Sequence, residues 1–404
     1  MPILLPPDEL DAWLRLSLEP ELGRAQARLL LAQAGMPQHI YALSASQLAR
    51  WLEAPLVARL KAPLPDSLQN TLDATRRWLD HADHHLLTLA DPGYPASLLQ
   101  TPDPPLLLYV NGNPALLGRP AVAVVGSRSA TAGGLDNATA FSRYLAEHQY
   151  TVVSGLAQGI DAAAHEGALQ AGPHGGSTIA VMATGIDLVF PARHRALAHR
   201  IAAHGAVVSE YPLGTHALPY HFPQRNRLVA ALGQGVLVVE AAVRSGSLIT
   251  ARLATEMGRE VFAIPGSIHS PMARGCHALI KQGAKLVESG QDILDELGQG
   301  KLPLPERPGA ATDSPRARAV RRAEPRDRPL RTPQASHHAS LQADAPETRV
   351  LEAMGYDPSS IDQLAERTGL SVGALNAWLM TLELRGTVER LEDGRFQKRP
   401  ASEG

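Results

Sequence analysis

Residues 121–128, with the sequence AVAVVGSR, decide the fold of the central part of the chain. Five apolar residues in a row that end at a glycine predict a strand buried on both faces, as in a parallel sheet covered by helices. In open α/β sheets of this kind, ligands bind outside the carboxyl ends of the strands, where backbone N–H groups and a helix N-terminus attract anions. We therefore expect a binding site in the loop that follows this strand, GSRSATAGG.

This loop matches neither of the two common nucleotide-binding loops. A dinucleotide fingerprint that starts at Gly126 would need glycines where Arg128 and Thr131 stand. A phosphate loop ends in GK[ST], and the sequence has no lysine between Gly126 and Lys281. We therefore expect no NAD, ATP or other cofactor. The loop offers backbone donors and the planar Arg128 guanidinium, which suits phosphate; the alternative is a tight turn with a surface arginine.

Strand and helix patterns alternate regularly on both sides of this stretch. Such alternation predicts βαβ units and an α/β fold with a mostly parallel sheet. The strands are predicted at 106–110, 121–125, 151–154, 178–183, 206–209, 236–239, 261–264 and 285–287.

Glycine recurs directly after six of these strands. Because glycine lets the backbone approach a ligand or adopt a positive φ, six such loops on one edge favour a shared crevice that accommodates phosphate. The loops are GSR (126–128), SGLAQGID (154–161), ATGIDLVFP (183–191), SEYPLG (209–214), EAAVRSGS (240–247) and IPGS (264–267). The binding residues that we predict from them are Gly126, Ser127, Arg128, Gly155, Gly159, Ser245, Gly246 and Ser247.

The segment HFPQRNRLVAALG predicts a helix with Pro223 in its first turn. Arg225 and Arg227 are two residues apart, about 200° around a helix axis, so they cannot both point into one pocket. We expect one to be structural, and Arg225 to be the phosphate contact because it lies nearer the helix N-terminus. Phe222 is either part of the core or a platform for a nucleic-acid base.

Composition limits the class of protein. A chain of 404 residues that is 44% hydrophobic and 19% charged predicts a soluble protein of two to four domains. Its single cysteine, Cys276, excludes a disulfide scaffold and suits a reducing compartment. With no signal-peptide pattern and no run of membrane-spanning length, we expect a cytoplasmic protein without a membrane segment. A formal net charge of -2 means that any nucleic-acid binding must come from a local patch.

Residues 1–84 predict an N-terminal helical domain. Two helices around the breaker EPELG (19–23) resemble a SAM or helix-hairpin-helix arrangement, but Glu21 stands at the first turn glycine and its carboxylate would repel a DNA phosphate. The alternatives are DNA contact and a plain helical packing module. His81, His84 and His85 could share one helix face at metal-ligand spacing, but without a nearby cysteine we predict a solvated helix end and no metal.

The C-terminal part of the chain divides into a linker and a small domain. Residues 299–346 are rich in proline and arginine and predict a disordered linker. Residues 347–399 predict three helices and a hairpin with a DG turn, which is a winged-helix pattern; Ser371 would begin the third helix and Gly386 would end it. A DNA reader should have a basic recognition helix, yet Arg385 is the only basic residue in 372–385. We therefore favour a protein-contact or regulatory module over duplex reading.

Six segments of the central domain resemble the Rossmann-like core of the DNA-processing protein A family, also called DprA or Smf. They are VAVVGSR, SGLAQGIDAAAH, IAVMATGIDLVFP, FPQRNRLVAALGQGVLVVEA, SGSLITA and GREVFAIPGS, and the match spans 85–298. The winged-helix pattern also resembles the C-terminal domain that many family members carry.

This resemblance implies a protein that protects incoming single-stranded DNA and loads the RecA recombinase during natural transformation, as a homodimer through the Rossmann-like domain. By similarity its DNA pocket would use Gly126, Ser127, Arg128, Phe222, Arg225, Asn226 and Arg227. Some members carry a lysine just before the phenylalanine, where this chain has Pro219, Tyr220 and His221. The loss of one basic contact would affect affinity more than function.

Two other functions deserve comparison. Related Rossmann-like folds cleave the N-glycosidic bond of nucleotides, and Glu240 or Asp161 could act as an acid, but the PGGxGT loop of those enzymes is SGSLIT here. A transcription regulator is the third possibility, and a recognition helix whose only basic residue, Arg385, has Glu383 beside it argues against it. We expect no catalytic residues and a protein that is not an enzyme.

Overall fold

The structure is a computed structural model, which describes residues 6–299, 346–391 and 393–399. The linker predicted at 299–346 lies outside the described residues except at its two ends.

The N-terminal region is helical, as the sequence predicts. Trp13, Leu30 and Ile40 are buried in a core that this region shares with one side of the central domain. Glu21, at the turn where a helix-hairpin-helix would have glycine, adopts a positive φ of 64° and pairs with Arg59 at 3.1 Å. The helices are α1 Pro7–Leu18, α2 Arg24–Ala34, α3 Pro37–Ala42, α4 Ala45–Leu48, α5 Ala54–Lys61 and α6 Asp66–Leu79.

The histidine cluster does not lie on a helix, so that part of the prediction was wrong. His84 and His85 begin a strand, because the apolar residues after them pair with the next strand. The His84 ring stacks on Trp78 with ring centroids 4.1 Å apart, and its Nδ1 lies 2.7 Å from the Trp78 carbonyl oxygen. Within residues 6–299, 346–391 and 393–399, no group of three histidine, cysteine or acidic side chains is placed to hold a metal ion.

A nine-stranded, mostly parallel sheet forms the centre of the molecule and confirms the predicted fold class. Its strands are β1 His84–Thr88, β2 Leu107–Gly112, β3 Ala121–Val125, β4 Thr151–Ser154, β5 Thr178–Val181, β6 Ala206–Ser209, β7 Gly235–Val238, β8 Glu260–Ala263 and β9 Lys285–Leu286. The spatial order is β1-β2-β6-β5-β4-β3-β7-β8-β9, and only the pairs that involve β2 are antiparallel. From β3 the chain proceeds to one side and then returns to β7 on the other, so the topological switch point lies between β3 and β7.

Helices cover both faces of the sheet. All of β3 is buried, because Val122 and Val124 pack with α8 and α9 on one face and Ala123 packs with α11 and α12 on the other. This two-sided burial explains the unbroken apolar run of the sequence. The helices of the central domain are α7 Ala96–Leu99, α8 Ala132–Glu147, α9 Ile160–Gln170, α10 Arg195–His204, α11 His221–Leu232, α12 Ser247–Glu256, α13 Arg274–Lys281 and α14 Gly290–Gln299.

The C-terminal domain is a winged helix, as predicted. Its helices are α15 Pro346–Met354, α16 Ile361–Thr368 and α17 Val372–Leu384, followed by the hairpin β10 Val388–Arg390 and β11 Phe396–Lys398. The Ser371 hydroxyl accepts the Ala374 N–H at the start of α17, and Gly386 follows the helix with a φ of 70°. Arg367 forms an ion pair with Asp136 of α8 at 2.6 Å, which joins this domain to the central one.

Among the helices that the structure describes, none combines the length and the apolar character needed to cross a membrane.

Candidate functional site

A crevice of about 690 Å³ opens at the switch point, at the carboxyl ends of β3 and β7. This is the position where open parallel sheets bind their ligands. Of the predicted residues, the crevice is lined by Gly126, Ser127, Arg128, Phe222, Arg225, Asn226, Ser245, Gly246 and Ser247. Gly155, Gly159 and Arg227 were also predicted but do not line it.

Arg128 and Phe222 form the mouth of the crevice. The Arg128 guanidinium is exposed, and its Cζ lies 5.3 Å from the centroid of the half-buried Phe222 ring. None of the ion pairs within the described part of the chain involves Arg128. A positive group that forms no ion pair within the described residues therefore lies beside an aromatic face.

Arg225 and Arg227 point in opposite directions, as their helical spacing predicts. Arg225 lies at the crevice floor with 4% of its surface exposed, and its Nη1 donates to the backbone carbonyls of Gly155 and Val181. Arg225 therefore gives the crevice floor a positive charge, but its Nη1 is already used by protein carbonyls and is not free to bind a ligand.

Arg227 lies outside the crevice, so its prediction as a pocket residue does not agree with the geometry. Its guanidinium pairs with the buried carboxylate of Glu210 and donates to the Asp103 carbonyl oxygen at 2.6 Å. Arg24 of α2 joins the same cluster, 2.9 Å from Glu210 and 2.8 Å from Asp103. Burial raises the pKa of Glu210, while Arg227 and Arg24 oppose this shift. Arg24 thus connects the N-terminal region to the central domain, and Arg227 belongs to the central-domain side of this cluster.

Gly155 and Gly159 are required by protein contacts and not by the close approach of a ligand. A Cβ at Gly155 would lie 2.2 Å from the Arg225 Nη1, so only glycine lets that guanidinium reach the carbonyls. Gly159 has a φ of 74°, and a Cβ there would lie 2.2 Å from the Ser127 carbonyl oxygen. These two glycines do not line the crevice, but they allow the close packing of Arg225 and of the Ser127 backbone, which do.

The serine loop before α12 forms the opposite wall. Ser245 and Ser247 have hydroxyl oxygens 2.7 Å apart, and the Ser247 N–H donates to the Ser245 hydroxyl at 3.3 Å. The Asn226 side-chain amide donates to the Gly246 carbonyl oxygen at 3.5 Å. The loop thus places the N-terminus of α12, whose backbone dipoles favour an anion, at the crevice.

The two candidate acids of the enzymatic alternative have structural partners. Glu240 accepts the Thr131 N–H at 2.9 Å and the Thr131 hydroxyl at 2.6 Å, which fixes the start of α8. Asp161 accepts the N–H groups of Gly155 and Ala157 at 3.1 and 3.3 Å. Burial raises the pKa of Asp161, against the opposing effect of Arg225. Both carboxylates therefore act as acceptors that fix loops.

A buried histidine of α9 contacts the first residue of β5, at the opposite end of that strand from the crevice. The His165 ring is fully buried, and its Nδ1 lies 2.7 Å from the Thr178 hydroxyl. Burial lowers the pKa of His165 to about 3, so the ring is neutral near pH 7. It adds no positive charge to the crevice.

The sequence analysis missed Phe190 among the lining residues. Phe190 lies in the loop ATGIDLVFP after β5. It was missed because the site residues in these loops were predicted from glycines and polar or charged groups, and a phenylalanine is neither. Its ring is 51% exposed, and its centroid lies 5.7 Å from that of Phe222.

The fold and the site define a Rossmann-like protein whose switch-point crevice presents a guanidinium and aromatic rings in place of a nucleotide-binding glycine loop. Two family models match the chain: DNA recombination-mediator protein A over residues 85–298 and the DprA winged helix domain over 333–394. The chain belongs to the DNA-processing protein A (DprA/Smf) family.

Individual relatives agree with this assignment. A protein named Smf from Escherichia coli is 39% identical over 334 residues, which cover 82% of this chain and 82% of the relative. DNA processing protein DprA from Streptococcus pneumoniae is 49% identical over 209 residues, 52% of this chain and 73% of the relative. The X-ray structure of DNA processing protein A from Streptococcus pneumoniae has a TM-score of 0.59 at 38% identity, over 71% of this chain and 97% of that chain.

Proposed function

We propose that this protein is a cytoplasmic, non-enzymatic single-stranded DNA-binding protein, which protects incoming DNA and loads the RecA recombinase in natural transformation and recombination. The observation that carries the proposal is the Arg128 guanidinium, which forms no ion pair with any residue that the structure describes and lies beside the Phe222 ring at the mouth of the crevice. A guanidinium suits a phosphate, and an aromatic face suits an unstacked base. Together they match the phosphate and the base of a nucleotide.

The shape of the site favours a single strand over a duplex. Phe222 can stack only on a base whose face is free, and in a duplex both faces of each base are covered by its neighbours. The serine loop and the α12 N-terminus offer polar groups for the backbone on the other wall. A strand that enters the crevice would therefore place bases on one side and phosphates on the other.

The partners of the Arg225 and Glu240 side chains support binding without catalysis. Arg225 uses its Nη1 for backbone carbonyls, and Glu240 fixes the start of α8. An acid catalyst needs a carboxyl group within hydrogen-bond reach of the substrate atom that takes its proton. In the described part of the chain, both acids named for the enzymatic alternative are instead engaged with the protein.

The proposal extends to a homodimer formed through the Rossmann-like domain. At one edge of the sheet, β1 packs beneath α6 of the N-terminal region. At the other edge, β9 has two residues, and Leu286 is 48% exposed. The exposed Leu286 side chain gives this edge apolar surface on which a second copy can pack.

The winged helix is proposed as a protein-contact module. Its recognition helix α17 exposes Val372, Met380 and Leu384, with Leu384 81% exposed. Arg385 at the end of this helix pairs with Glu347 at 2.8 Å, so its charge is directed to a neighbour within the domain. An apolar surface of this kind favours a protein partner over a phosphate backbone.

A binding titration of single-stranded against duplex DNA tests this function. We expect the full chain to prefer a labelled single strand, measured by fluorescence anisotropy at two salt concentrations. Affinity should fall as salt rises, because each neutralised phosphate contributes about 0.7 to the negative slope of log K against log salt. Equal or tighter binding of the duplex of the same sequence would contradict the proposal.

A further inference from the structure

Phe190 is a large aromatic ring held at the mouth of the crevice with half of its surface in solvent. It is 51% exposed and lines the same crevice as Phe222 and Arg128. A single exposed apolar side chain needs no explanation, but a second ring beside Phe222 enlarges an aromatic surface that already faces a guanidinium.

The loop that carries Phe190 is fixed by hydrogen bonds on both sides. Before the ring, the Thr184 hydroxyl donates to the Leu188 carbonyl oxygen at 2.5 Å, and the Asp187 carboxylate accepts the Gly214 N–H at 2.9 Å. After it, the His194 Nδ1 lies 2.9 Å from the Leu156 carbonyl oxygen. The ring is therefore positioned in advance, which reduces the entropy lost when a ligand stacks on it.

The two rings have a geometry that suits neighbouring bases of an extended strand. Their centroids are 5.7 Å apart, which exceeds the spacing of about 3.4 Å between stacked bases along a duplex strand. Their planes are tilted by 57°, so bases that stacked on both rings could not remain parallel to each other. This arrangement fits a strand whose bases are separated and excludes one that keeps its helical stack.

Beyond Phe190 the chain provides positive charge. Arg193 follows in a short 3₁₀ turn and Arg195 begins α10, and both side chains are exposed. Neither takes part in an ion pair within the residues that the structure describes. Guanidinium groups in this position can hold the phosphates of a strand as it leaves the aromatic surface.

We propose that Phe190 is a second base-stacking residue, so that Phe222 and Phe190 hold two successive bases and the strand continues towards Arg193 and Arg195. This inference rests on the proposed single-stranded DNA binding and adds to it a path and a direction.

Four variants of the full chain test the role of Phe190 against a short fluorescent oligothymidylate of about 6 nucleotides, near the lower end of single-strand site sizes. Phe190→Ala and Phe190→Leu remove the ring, and Phe190→Tyr keeps it. We expect Ala and Leu to weaken binding by about five- to hundredfold, the range measured for loss of one base stack, and Tyr to bind as the wild type does. Leu99→Ala is the control for loss of an exposed apolar side chain, because Leu99 is 49% exposed but does not line the crevice.

The outcomes separate this inference from the proposed function. Failure of the wild-type protein to bind the oligonucleotide would overturn both. If the wild type binds while Phe190→Leu binds equally well, Phe190 is an apolar filler and the inference fails. Equal losses for Leu99→Ala and Phe190→Ala would also contradict it. Thermal melting of each variant accompanies the titrations, and the half-exposed ring predicts unchanged transitions.

Discussion

The Arg128→Ala variant is expected to bind single-stranded DNA more weakly by about 1.5 to 3 kcal/mol, roughly a ten- to hundredfold loss, without a change in thermal unfolding. Arg128 is exposed, and within the described residues its side chain contacts the Phe222 ring and forms no ion pair. Its removal therefore costs a charge-assisted phosphate contact and leaves the core intact. Anisotropy titrations and a melting curve measure the two effects.

Arg119 provides the matched control for this variant. Arg119 is an exposed arginine just before β3, and Arg128 lies just after the same strand. The two residues therefore lie at opposite ends of β3, and only Arg128 is at the end where the crevice opens. Arg119→Ala removes the same charge and should keep the wild-type affinity. An unchanged affinity of Arg128→Ala with an intact transition would show that Arg128 is only a loop residue.

Arg225→Ala is expected to lower the free energy of unfolding by about 3 to 5 kcal/mol, the cost of breaking a buried charged network. The guanidinium donates to the carbonyls of Gly155 and Val181 and its charge opposes the effect of burial on Asp161. Alanine would leave these buried acceptors without their donor and the carboxylate without its compensating charge. Urea denaturation of both proteins measures the difference.

A surface arginine separates this effect from a general loss of positive charge. Arg244 is exposed in another strand-end loop, so Arg244→Ala should unfold at the same urea concentration as the wild type. One outcome for Arg225→Ala would contradict a structural role of this residue. If Arg225→Ala kept full stability but lost DNA binding, its guanidinium would be a ligand contact and not a structural support.

The sequence predicts the sheet well because burial on both faces leaves a local signal. Each predicted parallel strand is present, with its ends shifted slightly, since continuous apolar runs ended by glycine are sufficient to locate such strands. The strand β1 His84–Thr88 was missed. It is an antiparallel edge strand that begins with two histidines, and its pairing with β2 depends on tertiary contact more than on its own residues.

The sequence predicts where the candidate site lies, at the carboxyl ends of the strands, but it predicts only some of the side-chain contacts within and around it. Helical spacing correctly separates Arg225 from Arg227, because angular position depends only on residue number. It does not reveal that Glu210 and Asp103 hold Arg227, since these residues lie in other loops, 17 and 124 residues away in the sequence. In the same way, Gly155 is glycine because of the Arg225 guanidinium, and no local pattern reports that contact.

Photo-crosslinking of the full chain to a 5-bromouracil-substituted oligonucleotide, with identification of the crosslinked peptides by mass spectrometry, tests most directly whether the switch-point crevice is the DNA site. The account predicts crosslinks on the peptides that contain Phe222 and Phe190, and their loss when Arg128 is replaced by alanine. Crosslinks confined to residues 346–399, with none on the crevice peptides, would contradict it.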